Sequence, residues 1–178
     1  MDTTQFMIRK ASPEDTDQIF ELYKTVSKEV GGLARIEKEI TKTYIENFSY
    51  KSFENGLQFV VTDAFNEQAI IAEIHCYQLE PGVFKHILSE LTVAVHPACQ
   101  GKGLGRLLFQ TLLDDIQLNR PDILRVELIA RESNSKAIQL YERLGFKIEG
   151  RFENRISNGN NSFEADIPMA WFPAARVH

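Results

Sequence analysis

The stretch that decides the fold reads Leu91-Thr92-Val93-Ala94-Val95-His96-Pro97-Ala98-Cys99-Gln100-Gly101-Lys102-Gly103-Leu104-Gly105-Arg106. Its first five residues are mostly apolar and partly β-branched, which is typical of a buried strand. Pro97 ends that strand, because a proline offers no backbone N–H to a ladder. From the last glycines onward, apolar residues recur at the spacing of an amphipathic helix, namely at Leu104, Leu107, Leu108, Leu112 and Ile116. The stretch therefore predicts a strand, a glycine-rich loop and a helix, in that order.

The glycine-rich loop has the composition of a phosphate-binding loop. Glycines that open a helix leave backbone N–H groups bare, and the helix dipole adds partial positive charge there. Lys102 and Arg106 add full positive charges. Two common phosphate loops do not fit, because a Walker A loop needs Ser or Thr where Gly103 stands and the dinucleotide fingerprint needs a small residue in place of Arg106. On spacing alone, a tight turn without a ligand stays open as an alternative.

Two segments resemble the GCN5-related N-acetyltransferase (GNAT) family. The segment 100–105 is similar to the family's Q/R-x-x-G-x-G/A signature, a loop that cradles the pyrophosphate of acetyl-CoA. The segment 134–146 is similar to the family's N-x-x-A-x-x-L-Y-x-x-x-G-F pattern. Both stand in the family's order, and the resemblance covers roughly residues 84–171. Residues 1–80 match the family only in their general plan.

The resemblance implies acetyl-CoA as the co-substrate and calls for no metal ion. In the family, a backbone N–H of the central strand polarises the thioester carbonyl, and Val93 or Val95 would supply it here. The co-substrate-binding residues that the resemblance implies are Val93, Ala94, Val95, Gln100, Gly101, Lys102, Gly103, Leu104, Gly105, Arg106 and Asn134.

Acetyl transfer to an amine sets three chemical requirements: the amine loses a proton, the oxyanion is stabilised, and the departing thiolate receives a proton. Tyr141 is the candidate general acid, because it matches the L-Y position of the family pattern; a tyrosine packed in the core is the alternative. Glu90 is the candidate base, near a position where some members carry a glutamate that deprotonates the amine through water. Glu73 and His75, on the neighbouring predicted strand, are alternative bases.

We expect the acceptor to be a primary amine of a small molecule, such as an amino acid or a polyamine, that attacks directly in a ternary complex. Some protein N-terminal acetyltransferases of the family carry a glutamate where Ile129 stands here, so acetylation of protein or peptide N-termini is the alternative activity. A non-catalytic acyl-CoA-binding sensor is the alternative from another class. The segment 30–35 is either an acceptor-contacting loop or a plain connection between two helices.

The order of the predicted elements indicates an α+β, or mixed α/β, fold. Strands precede a strand–helix–strand–helix unit, and a hairpin with Asn158-Gly159 at the centre of its turn closes the chain. A helix is predicted over residues 36–48, and a long strand over residues 84–95. Ser133 or Asn134 is predicted to cap the helix that carries Tyr141.

The resemblance refines this into the acyl-CoA N-acyltransferase fold of the family. That fold has a mixed, mostly antiparallel central sheet flanked by about four helices. The strands that end near Val95 and Ala130 would splay apart to admit the pantetheine arm of the co-substrate.

Composition limits the class of protein and of partner. The chain has 178 residues, 43% hydrophobic and 25% charged, which predicts a single domain over residues 1–178. The net charge of −5 speaks against a general nucleic-acid binder. No apolar run approaches the ~20 residues of a membrane span, and the first residues do not resemble a signal peptide. Cys76 and Cys99 make no disulfide framework, so we expect a cytoplasmic location. A homodimer is compatible with the resemblance, because dimers are common in the family.

Overall fold

The computed structural model describes residues 6–29, 33–63 and 66–175, and these contain four α-helices and eight strands. The strands are mostly antiparallel with one parallel pairing, so the predicted mixed α/β fold class is confirmed. No helix in these ranges is both long and apolar enough to cross a membrane. The chain forms two compact units, Met1–Tyr77 with Thr92–Leu112 and Gln78–Leu91 with Leu113–His178.

In the first unit, three strands form an antiparallel ladder: β1 (Phe6–Lys10), β2 (Gly56–Asp63) and β3 (Asn66–Gln78). Two helices, α1 (Thr16–Val26) and α2 (Lys42–Asn55), connect β1 to β2. Their apolar stripes are buried together with residues of the strands, because such stripes must be removed from water. The resulting core contains Ile19, Leu22, Tyr23, Val26, Ile40, Ile45, Phe48, Val60, Ile70 and Ala94.

The second unit contains the start of β4 (Ile87–Val95) and the end of α3 (Leu104–Asn119). The remaining elements are β5 (Arg125–Arg131), α4 (Ser135–Arg143), β6 (Lys147–Ile148), β7 (Phe152–Gly159) and β8 (Ser162–Trp171). Strand β8 pairs antiparallel with β5, β6 and β7. It therefore holds this unit together as its central strand.

Strands β4 and β5 are parallel, and their pairing in the described sheet is short. Ile87 pairs with Arg125 and Leu88 pairs with Val126. Two residues further, Glu90 has a φ of 54°, a left-handed conformation that an extended strand does not contain. The ladder between these strands therefore ends just before a break in the backbone of β4.

The second helix lies further along the chain than the sequence predicted. Residues Glu37–Glu39 form a single 3₁₀ turn, and α2 runs from Lys42 to Asn55. The side chain of Thr41 accepts a hydrogen bond of 3.1 Å from the Tyr44 N–H, which caps the helix at this point. The prediction over residues 36–48 followed apolar spacing and missed this hydroxyl cap.

Two further predicted boundaries were wrong. The strand predicted over residues 84–95 begins only at Ile87, because Gly82–Phe84 form a 3₁₀ turn. The hairpin turn is formed by Asn160 and Asn161, with φ of 50° and 58°, because Gly159 pairs with Ser162. Asparagine adopts the left-handed conformation readily, so two adjacent asparagines make a hairpin turn as well as Asn-Gly does.

Candidate functional site

The glycine-rich loop lies in the first unit, between β4 and α3. Gly101 and Gly103 have φ of 75° and 80°, a conformation that side chains rarely adopt. A Cβ added at Gly101 would meet no atom within 4 Å, so the loop faces open space there. Gly105 differs, because its Cβ would only touch Val95 Cγ2 at 3.9 Å. Backbone conformation therefore explains the first two glycines and not the third.

Two positively charged side chains lie where the glycine-rich loop leads into α3. Lys102 and Arg106 are exposed on either side of Leu104, whose own side chain is buried. The Leu107 N–H donates to the Gly103 carbonyl at 3.0 Å, which begins the helical hydrogen bonding. The Lys102 ammonium lies 5.9 Å from the centre of the Phe6 ring. Bare N–H groups, the helix dipole and two cations make this a suitable site for a phosphate.

The end of β4 is tied to the glycine-rich loop. The Gln100 side chain donates to the Val95 carbonyl at 3.4 Å, and the His96 N–H donates to the Ile71 carbonyl of β3 at 2.8 Å. Ala94 is buried in the core of the first unit, while Val93 and Val95 are half-buried. The structure thus brings these predicted co-substrate-binding residues together within one unit.

The other predicted site residues belong to the second unit. Asn134 caps α4, because its side-chain oxygen accepts a hydrogen bond of 3.2 Å from the Ala137 N–H. Of the two predicted caps, Ser133 and Asn134, the structure thus selects the second. Gly145 ends the helix with a φ of 96°.

Tyr141 lies on α4 in a half-buried position, with the Phe146 ring centre 6.1 Å away. Burial raises the pKa of its hydroxyl to about 12. The phenol therefore stays protonated over the physiological pH range and can donate a hydrogen bond or a proton.

Glu90, the candidate base, is exposed in the second unit. Its φ of 54° is costly for a residue with a side chain, and such conformations are common at functional sites. The part of the predicted acceptor loop over residues 30–32 lies outside the described residues. Arg35, at the described end of this loop, is exposed and its guanidinium lies 4.3 Å from the centre of the Tyr44 ring.

A buried polar cluster in the first unit contains the two alternative bases. Its members come from four elements, and all are less than a tenth exposed: Tyr23, Ser49, Gln58, Glu73 and His75. Glu73 is at the centre, accepting hydrogen bonds from the Tyr23 hydroxyl at 2.7 Å and from the Gln58 amide at 2.9 Å. His75 Nδ1 lies 3.1 Å from Glu73 Oε1.

The surroundings of this cluster are aromatic. The Phe48 ring stacks on the imidazole of His75 with centroids 3.9 Å apart and planes at 7°. Burial raises the pKa of the Tyr23 hydroxyl well above its usual value, and the charge of Glu73 adds to that effect. Sequence reasoning named Glu73 and His75 but missed Tyr23 and Gln58. Glu73 and His75 could be found from the alternation of β3, which puts these two polar residues on one face.

The described residues contain no group of three or more His, Cys, Asp or Glu side chains that could hold a metal ion. Cys76 is buried and Cys99 is half-buried, and neither forms a disulfide bond.

Comparisons with known proteins found similar acetyltransferases. A family model described as the acetyltransferase (GNAT) family matches residues 17–146. A ribosomal protein bS18-alanine N-acetyltransferase from Salmonella typhimurium is 34% identical over 95 residues. That match covers 52% of this chain and 52% of the relative, so the chain spans about half the length of this curated protein.

Solved structures match over nearly the whole chain. An acetyltransferase of the GNAT family from Streptococcus pneumoniae superposes with a TM-score of 0.82 at 20% identity, covering 96% of this chain and 100% of that one. A putative acetyltransferase from Salmonella typhimurium, solved with its cofactor acetyl-CoA, has a TM-score of 0.80 at 19% identity, with coverage of 98% and 97%. At these identities the likeness shows the fold.

Proposed function

Because the chain belongs to the GNAT acetyltransferase family, we propose that it transfers the acetyl group of acetyl-CoA to a primary amine of a small molecule. An amino acid, a polyamine or a similar compound would attack directly in a ternary complex. The observation that carries the proposal is the glycine-rich loop, with two left-handed glycines and two cations at the start of α3. We also propose that residues 1–178 act as one acetyltransferase domain.

The residues present fit acetyl-CoA. The loop offers backbone N–H groups and open space at Gly101, and a pyrophosphate needs both. We propose that Lys102 and Arg106 neutralise part of its charge. The other proposed co-substrate-binding residues are Val93, Ala94, Val95, Gln100, Gly103, Leu104, Gly105 and Asn134. The bound co-substrate would supply a thioester carbonyl, which is the reactive group.

The chain's own residues would move the protons. Tyr141, with its pKa raised to about 12, would donate a proton towards the departing thiolate. Either Glu90 or the pair of Glu73 and His75 would take the proton of the acceptor ammonium. A backbone N–H of Val93 or Val95 would stabilise the oxyanion.

A second candidate function is acetylation of a protein N-terminus. It is favoured by the names of the curated relatives, among which the Escherichia coli ribosomal protein bS18-alanine N-acetyltransferase is 43% identical over 63 residues. Ile129, exposed on β5, stands where some protein N-terminal acetyltransferases of the family carry a glutamate, and this favours the small-molecule acceptor. A non-catalytic acyl-CoA sensor is the third candidate.

The remaining parts of the proposal concern location and assembly. We propose a cytoplasmic location, because neither cysteine forms a disulfide bond. We propose no nucleic-acid partner, because the net charge is −5. A homodimer is proposed from the family resemblance, and light scattering on the purified protein tests it.

The deciding experiment is a calorimetric titration of the purified protein with acetyl-CoA, with ATP and NAD as controls. Selective binding of acetyl-CoA supports the proposal. A panel of amino acids, polyamines and N-terminal alanine peptides, read by release of free thiol, then separates the candidate acceptors. Tight binding without thiol release above background would support the sensor, and no binding would overturn the proposal.

A further inference from the structure

The hydrogen bonds of the buried polar cluster fix where its protons lie. The Tyr23 hydroxyl donates to Glu73 Oε2, and the Gln58 amide donates to Glu73 Oε1. An ionised carboxylate only accepts hydrogen bonds, so His75 Nδ1, at 3.1 Å and 3.3 Å from its two oxygens, also donates. The proton of the neutral imidazole is therefore on Nδ1, and the basic lone pair is on Nε2.

Of the three ionisable side chains in this cluster, His75 alone keeps a small exposed area. Its side chain keeps 3% of its area exposed, whereas the side chain of Glu73 keeps none. Tyr23 is also fully buried. Among the hydrogen bonds of the described residues, none uses His75 Nε2.

The cluster shares a hydrophobic core with the strand segment proposed to hold the thioester carbonyl. Ala94 of β4 belongs to the same hydrophobic core as Tyr23 and Phe48, and the Phe48 ring stacks directly on His75. The neighbours of Ala94 in sequence are Val93 and Val95. The imidazole therefore packs against a side chain of the same core that buries this part of β4.

Stability does not account for this arrangement. Removing a carboxylate and an imidazole from water costs free energy, and a buried polar pair often stabilises a fold no more than apolar side chains of similar volume. A histidine oriented by a carboxylate is, in contrast, a common form of general base. The arrangement therefore suits a general base, and packing of the core does not require it.

We propose that His75 Nε2 takes the proton of the acceptor ammonium, with Glu73 as the positioning residue that fixes the imidazole and with Tyr23 and Gln58 holding Glu73. This rests on the proposed function. The N–H bond of the ammonium breaks as the Nε2–H bond forms, and the freed lone pair then makes the new N–C bond while the C–S bond breaks. The departing thiolate takes up the second proton of the nitrogen, and His75 returns its own proton to water.

The groups that face His75 set the expected pH behaviour. Tyr23 of α1 and Glu73 and Tyr77 of β3 are titratable, whereas Phe48 and Ser49 of α2 and Gln58 of β2 are neutral. Among the described residues, Arg35 is the cation whose charge acts on Tyr23. Glu73 is thus the charged group in direct contact with the imidazole.

The test compares His75→Gln with the wild-type enzyme, using acetyl-CoA and the amine found most active in the panel. Glutamine keeps a donor for Glu73 but cannot take a proton. We expect kcat/KM to fall roughly 100-fold near neutral pH, and to rise about tenfold per pH unit as the free amine becomes available. The acetyl-CoA affinity should stay within about twofold, since the variant keeps the glycine-rich loop. The matched control His86→Gln, at an exposed position, should follow the wild-type profile.

The competing base is tested in parallel. If Glu90→Gln removes the acid limb of the pH profile while His75→Gln keeps it, the proposal is overturned. If His75→Gln fails to fold, NMR of the imidazole nitrogens of the wild-type protein tests the proposal instead. The proposal requires the proton of neutral His75 to be on Nδ1. The opposite tautomer overturns the proposal. A wild-type enzyme that acetylates no amine at all would instead overturn the proposed function.

Discussion

The Asn134 side chain and the Ala137 N–H are joined by a hydrogen bond of 3.2 Å, which caps the helix that carries Tyr141. The same asparagine opens the second family-like segment, and the resemblance gives it a contact with acetyl-CoA. One residue would then serve both the stability of α4 and the binding of the co-substrate. The side-chain oxygen is used by the cap, which leaves the amide N–H groups for the ligand.

We expect Asn134→Ala and Asn134→Asp to separate these two roles. Alanine removes the cap and should lower the free energy of unfolding by about 1 kcal/mol. Aspartate caps a helix as well as asparagine does, so its variant should unfold at the wild-type temperature. Aspartate has no amide donor, and it should therefore bind acetyl-CoA more weakly. Thermal unfolding and calorimetry measure the two effects, and wild-type affinity in Asn134→Asp would remove the proposed contact.

The glycines of the loop provide a matched pair of substitutions. Gly103→Val forces a β-branched residue to a φ of 80°, at a cost of about 1–2 kcal/mol, and adds bulk in the proposed phosphate site. We expect its acetyl-CoA affinity to fall more than about tenfold. Gly105→Ala should lower the affinity much less, because it keeps the backbone N–H and its Cβ meets Val95 at an ordinary contact distance of 3.9 Å. Wild-type affinity in Gly103→Val would show that the loop does not hold the co-substrate at this position.

The sequence predicted this loop and α3 well, because both depend on local chemistry. Pro97, the glycines and the apolar spacing act within a few residues of one another, and the helix begins at Leu104 as expected. The hairpin turn was misplaced at Asn158-Gly159, because both this pair and Asn160-Asn161 favour a left-handed turn. The pairing of β7 with β8 selects Asn160 and Asn161, and such pairing depends on distant residues.

The buried polar cluster could be predicted only in part, for a physical reason. Alternation along β3 puts Glu73 and His75 on one face, and this is visible in the sequence. The spacing of α1 puts Tyr23 on a buried stripe but does not say which strand residue its hydroxyl contacts. That contact depends on the position of the helix on the sheet, which is set by packing of the whole core.

The pair of Arg9 and Asp15 predicts how stability changes with pH. Burial of the Asp15 carboxyl acts to raise its pKa, but hydrogen bonds from the Arg9 guanidinium at 2.7 Å and from the Ser12 N–H at 2.8 Å outweigh it and lower the pKa. A group with a lowered pKa in the folded state contributes its full stability above the unfolded pKa, about 3.9 for aspartate. This contribution is lost as the pH falls towards the folded pKa.

Asp15→Asn should therefore be less stable than the wild type by roughly 1–3 kcal/mol near neutral pH. The difference should shrink below about pH 4, as the carboxyl of the unfolded chain and then that of the folded protein take up a proton. Asp17→Asn is the control, because its partner Lys42 lies 2.6 Å away on an exposed surface where ion pairs contribute little. Denaturant unfolding at several pH values measures both. A difference between Asp15→Asn and the wild type that does not change with pH would contradict the linkage.

Tyr141→Phe tests the proposed acid of the reaction. The phenylalanine keeps the ring and its packing near Phe146, so acetyl-CoA should bind within about twofold of the wild type, while kcat should fall roughly 100-fold for loss of the proton donor. Because burial raises the pKa of this hydroxyl to about 12, the group stays protonated and gives the wild-type enzyme no alkaline limb below about pH 10. Tyr50→Phe, at an exposed position of α2, is the control and should keep the wild-type kcat. A Tyr141→Phe variant with normal turnover would leave the tyrosine a packing role alone, and the thiolate would then have to take its proton from another donor or from water.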